Sequence, residues 1–143
     1  MTTINRIDTR KRTGIGGWLL VLCVLLLAWR PLGLAVTAAG ALDALAVRGL
    51  ALVLVLLVRL LATAAGVAAG LALVRRRPGA VWLARWSLVL SAAVDLFVYT
   101  TPYFPSNRPP GTTPLVVAAS LLYHGGWVAY LFRSKRVRHT FPS

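Results

Sequence analysis

Apolar residues along this chain gather into four long stretches, broken by short segments rich in arginine, proline or glycine. A strictly charge-free run of the ~18 residues or more that signals a membrane span occurs once, between Arg108 and Arg133. Admitting one or two ionisable residues per stretch adds three more. The expected spans are 15–36, 45–74, 79–101 and 113–133. Between and around them fall a basic arm at 1–14, a basic loop at 75–78, a loop at 102–112 and a basic tail at 134–143. Proline and glycine mark the breaks, as in "RRRPG" and "PYFPSNRPPGTTP". The fold class that follows is all-α and integral to the membrane: a compact bundle of four transmembrane helices with no soluble domain left to place. At ~1.5 Å per residue the second stretch would run ~45 Å, longer than the hydrocarbon layer. Its first turns, including Arg48, are therefore expected to reach the outer interface, or the helix to tilt.

Composition agrees with this reading. Of 143 residues 58% are hydrophobic and 13% charged, about half the charged share of an ordinary soluble domain. The net charge of +13 would suit a nucleic-acid binder, but the cations are not spread over a polar face. They cluster at Arg6, Arg10, Lys11 and Arg12, at Arg75, Arg76 and Arg77, and at Arg133, Lys135, Arg136 and Arg138. Nucleic acid is excluded as a partner, because no soluble basic face or stacking platform remains. Loops flanking membrane helices keep their Lys and Arg on the cytoplasmic side, and the two remaining loops, around Asp43 and from Tyr103 to Pro114, carry only Arg108. Both termini are therefore expected in the cytoplasm, in a multi-pass protein of a cytoplasmic membrane. "WLLVLCVLLLAW" follows a basic arm as a secretory signal would, yet the small residues near Ala38 to Ala41 lie beyond Arg30 and Pro31, so an uncleaved first helix is expected. Trp18, Trp82, Tyr103 and Trp127 fall near span ends, as interfacial anchors do.

Three ionisable residues stand inside the spans. Counted inward from the basic ends, Arg30 lies ~21 Å along the first helix, Arg59 ~22 Å along the second and Asp95 ~24 Å along the third. A lone arginine near mid-bilayer costs at least ~2.5 kcal/mol, so such groups face the bundle interior and pair. Asp95 is expected to pair with Arg59, with Arg30 as neighbour or competitor. Arg48, Arg59, Ala62, Gly66 and Gly70 share one helical stripe, and Gly66 and Gly70 form a GxxxG surface for close helix approach. On the third span Ser87, Ser91, Asp95 and Tyr99 form a polar ridge that can meet it. On the fourth, Ser120, Tyr123, Trp127 and Tyr130 line up with His124 beside them, and Gly125 and Ala129 make a second small pair. Pro31 is expected to kink the first helix and free a carbonyl.

Two stretches, "GIGGWLLVL" at Gly14 to Leu22 and "GWVAYLFRSKRVRHTF" at Gly126 to Phe141, carry a resemblance. They are similar to the opening and closing signatures of the bacterial inner-membrane family catalogued as domain of unknown function 2569. Gly16, Gly17, Trp18 and Leu19 match the first signature; Ser134, Lys135, Arg136, Val137, Thr140 and Phe141 match the second, with Arg138 in place of a lysine. The resemblance implies a four-helix topology in a bacterial inner membrane and no particular reaction. Physically, Arg133, Lys135, Arg136 and Arg138 form a juxtamembrane polybasic segment, each cation worth about 1 kcal/mol of attraction to anionic headgroups. Val137, Thr140 and Phe141 add apolar surface that can dock on the bundle's mouth or on a partner.

Catalytic chemistry finds little support. Asp8, Asp43 and Asp95 are the only acids and there is no glutamate, which removes carboxylate pairs. The single cysteine, Cys23, and two distant histidines give no zinc set, and no cofactor is expected. The expected function is non-catalytic association, with copies of itself or with other membrane proteins, through small-residue faces. The alternative is a subunit of an oligomeric small transporter or channel that uses the Arg/Asp cluster. Because arginine does not titrate usefully, a proton relay would have to run through Asp95 and His124.

Overall fold

The computed structural model describes residues 16–101 and 109–141. Arg6, Asp8, Arg10, Lys11, Arg12, Tyr103 and Arg108, with the rest of the arm and most of the 102–112 loop, lie outside the described residues. Four helices among those described are long and apolar enough to cross a membrane: α1 (Trp18–Leu42), α2 (Leu45–Val74), α3 (Ala80–Thr100) and α4 (Thr113–Arg133). A short helix, α5 (Lys135–Thr140), closes the chain. Consecutive long helices run antiparallel and each packs on its predecessor, α1 on α2, α2 on α3 and α3 on α4.

The first helix extends six residues past the expected end at Val36. Its distal half is small and apolar, "TAAGALD", and reads as a linker, yet no proline stops it. Pro31 acts earlier in the helix. Its ring lacks an N–H and crowds the carbonyl four residues back, at Leu27. Around that carbonyl the helix widens into a π turn over Leu25–Trp29, in which the Arg30 N–H donates to the Leu25 carbonyl five residues away. A wider turn relieves the clash without ending the helix.

The overlong α2 is shortened by a break. Gly49 takes φ 57° and ψ −139°, a conformation open to glycine alone. The turn carrying the exposed Arg48 is thereby bent away from the rest. Gly17 adopts nearly the same geometry, φ 57° and ψ −134°, where the chain enters α1.

Two apolar clusters hold the bundle. The larger lies toward the basic end, where Leu19, Leu22 and Leu26 of α1 meet Ala69 and Leu73 of α2, Ala84 and Leu88 of α3, Leu131 of α4 and Val137 of α5. The smaller joins Val55 and Ala62 of α2 to Val94 and Val98 of α3. Gly66 and Gly70 bring α2 against the π turn of α1: a Cβ built at Gly70 would sit 2.9 Å from Leu27 Cγ and 3.2 Å from Leu26 Cβ. Such close approach between helices is what small residues permit. The outer faces remain apolar, with Leu20, Leu57, Leu61 and Leu122 all exposed.

Candidate functional site

At mid-height residues of all four long helices line a half-open cavity of about 350 Å³. Its polar wall comes from every helix: Arg30 and Thr37 from α1, Arg59 and Thr63 from α2, Ser91 and Asp95 from α3, Ser120 and His124 from α4. Thr37, Tyr99 and Val116 extend the lining toward the Asp43 end of the bundle, away from the basic loop. Chain logic explains the convergence. Ser87, Ser91 and Asp95 recur every four residues on the buried face of α3, while Arg59, Ala62, Gly66 and Gly70 share the inward stripe of α2. The π turn immediately precedes Arg30.

Asp95 is the hub, 8% exposed. Its Oδ1 lies 3.6 Å from Arg59 Nη2. Its Oδ2 lies 3.8 Å from Arg30 Nη1, and Ser120 Oγ donates to it at 3.4 Å. His124 completes the ring. Its Nδ1 donates to the Ser120 carbonyl at 2.8 Å, which assigns the tautomer, since a carbonyl only accepts. The ring therefore aims Nε2 at Asp95 Oδ2, 3.8 Å away. That nitrogen is buried and has no hydrogen-bond partner among the described residues.

Two properties set the chemistry. Charge-assisted contacts normally close to about 2.7–2.9 Å, and neither arginine comes that near to Asp95. The carboxylate is encircled without being gripped. Moreover, two guanidiniums face one carboxylate, so these three groups together carry a net positive charge. The arrangement can receive a further polar or negative group.

No family model matches the chain, and neither does any curated protein or solved structure. The site is therefore read from its geometry alone.

Other residues singled out from sequence fall elsewhere. Gly125 and Ala129 lie on the exposed face of α4, and a Cβ at Gly125 would meet nothing within 4 Å among the described residues. His124 and Leu131 turn the opposite face of α4 inward. At the basic end, Arg133, Lys135 and Arg138 are exposed, and Phe141 packs against the larger apolar cluster. Arg136 reaches the chain's entry into α1, where a Cβ at Gly16 would lie 2.9 Å from its Nη1. The two stretches that carry the family resemblance thus touch.

Sequence reasoning passed over Arg85. Its guanidinium lies 3.8 Å above the Phe132 ring and donates to the Leu131 carbonyl at 3.1 Å. That carbonyl is among the last four of α4, which have no partner within the helix. Arg85 thereby caps α4 from the side. No spacing along the chain signals this, because the partners are 46 residues apart.

Proposed function

We propose that the protein is a non-catalytic, multi-pass protein of a bacterial cytoplasmic membrane that binds a small polar solute between its helices, as one subunit of an oligomeric transporter or channel. One observation carries this reading: a cavity of about 350 Å³, in the range of ligand pockets, has loosely contacted charged groups at mid-depth where a structural lock would close tightly. In this reading both termini face the cytoplasm, by the excess of Lys and Arg at that end, and the tail meets anionic headgroups. Membership of the domain of unknown function 2569 family is part of the proposal and rests on the Gly-Gly-Trp-Leu and Ser-Lys-Arg-Val stretches.

Cysteine access tests the cavity. In a Cys23→Ala background, Thr37→Cys and Ala119→Cys are expected to react with a membrane-impermeant thiol reagent added from the Asp43 side, and Leu57→Cys to stay inert. If both cavity positions are as unreactive as Leu57→Cys while an Asp43→Cys control labels, the reading is wrong.

A second reading, association through helix faces, draws on α4. Only 11% of its apolar window is buried, against 39% for α3, and its outer face carries Gly125 and Ala129. A homo-oligomer joined there is compatible with the first reading, since a bundle this small needs copies to enclose a path.

A further inference from the structure

We infer that the central cavity is an anion site, built for a small oxyanion such as a carboxylate or a phosphate group, with Arg30 and Arg59 as its charge partners and His124 and Ser120 orienting it. The inference rests on the cavity reading above and adds the chemical class of the ligand.

Three independent features converge on it. First, charge: two guanidiniums against one aspartate make the cavity net positive, so an entering monoanion neutralises the cluster and a cation would worsen it. Second, geometry: guanidinium groups offer paired N–H donors that match the two oxygens of a carboxylate or phosphate. Arg30 and Arg59 approach opposite oxygens of Asp95, at 3.8 and 3.6 Å. Both are set back from ideal contact, so a second anion can share the donors that Asp95 holds loosely. Third, His124: its Nδ1 is committed to the Ser120 carbonyl, and its buried Nε2 faces Asp95 Oδ2 at 3.8 Å with no hydrogen-bond partner among the described residues. A buried polar atom in that state calls for a partner; with the proton on Nδ1 the free Nε2 accepts, so the hydroxyl of a partly protonated phosphate can meet it and a bare carboxylate cannot. Ser91, also buried, adds a hydroxyl to the same wall.

Asp95 acts here as a resident stand-in. It occupies the centre of the donor ring and keeps the empty-handed state from carrying two bare charges. This gives a test with a sign that a merely structural pair would not produce. Removing the charge of Asp95 should weaken the fold but tighten the anion.

The experiment is equilibrium dialysis of the full chain in non-ionic detergent against radiolabelled acetate and radiolabelled inorganic phosphate, with phosphorus analysis of lipid retained through detergent exchange. Saturable binding of either free anion, tightened about tenfold or more by Asp95→Asn and lost in Arg59→Gln, supports the inference and makes the ligand a soluble solute. Arg30→Lys keeps the charge but not the fork, and should bind several-fold more weakly while remaining folded. Should neither free anion bind, while wild type retains phospholipid that Arg59→Gln and Arg30→Lys release, the same chemistry is met by a lipid headgroup. Binding that none of these substitutions changes, or no anion and no retained lipid at all, overturns the inference. In the latter case Thr37→Cys and Ala119→Cys labelling separates the two claims: labelled cysteines leave a cavity for a neutral solute, and sealed ones remove both.

Discussion

Replacing Gly70 with alanine should destabilise the bundle, whereas the same change four residues earlier should not. At Gly70 the new methyl would meet Leu27 Cγ at 2.9 Å, Leu27 Cδ2 at 3.0 Å and Leu26 Cβ at 3.2 Å. Two of these atoms lie close to the backbone of the α1 π turn and cannot swing aside as a side-chain tip would. Forcing a methyl into such a contact costs typically 1–3 kcal/mol, and the gain in helix propensity from glycine to alanine returns roughly 1 kcal/mol. The expected net loss is therefore up to about 2 kcal/mol. At Gly66 the new Cβ meets only Leu26 Cδ2, at 3.6 Å, an ordinary van der Waals distance. Gly66→Ala should then be neutral or stabilising by up to ~1 kcal/mol. Reversible unfolding of both variants in mixed micelles, followed by tryptophan fluorescence, reads the difference directly. Equal effects at the two glycines, or a stabilised Gly70→Ala, would refute the packing of α2 on the π turn.

Three further outcomes are expected. Asp95→Asn should lower stability by about 1–3 kcal/mol and lose less in an Arg59→Gln background; a double-mutant cycle in the same micelles measures the coupling, and strict additivity would mean that the two side chains do not act on each other. Val137→Ala removes about two methyl groups from a 2%-exposed site, worth roughly 1.5 kcal/mol, so limited trypsin cleavage within α5 should speed up about tenfold; unchanged cleavage would show that α5 is not held against the bundle. With Cys23→Ala, Gly125→Cys should give oxidised dimers across copies, and a monomer under oxidising conditions would remove the α4 face as an interface.

How far the sequence discloses this molecule depends on which physical signal each feature leaves. Hydropathy carries over hundreds of ångströms squared of lipid-facing surface, so the presence of four apolar helices could be read directly once single charges were allowed within a span. The inward stripe of α2 and the polar ridge of α3 follow from helical periodicity, which put Arg59 and Asp95 within reach of each other. Features made by local backbone escape such patterns. The π turn at Leu25–Trp29 was foreshadowed only as a kink at Pro31, and the bend at Gly49 only as an excess of length. Rotation about a helix axis is also poorly encoded where both faces are apolar. Gly125 and Ala129 read as a small-residue pair, and the spacing alone does not say whether they face the bundle or the outside; His124 and Leu131 set the inward face of α4. Contacts between distant segments, such as Arg85 with Phe132 or Arg136 with Gly16, leave no periodic trace at all.

The serial packing of the helices has a consequence for how the chain is made. In order of synthesis α1 and α2 come first, and each carries its cavity-lining arginine, Arg30 and Arg59, before Asp95, the acid that both face, has been made. Asp95 follows only with α3, and Ser120 and His124 only with α4. A nascent hairpin of α1 and α2 thus holds two guanidiniums whose counter-charge has yet to be synthesised. Were the helices to enter a membrane in that order, an insertase or a passing anionic headgroup would supply the counter-charge that α3 brings later.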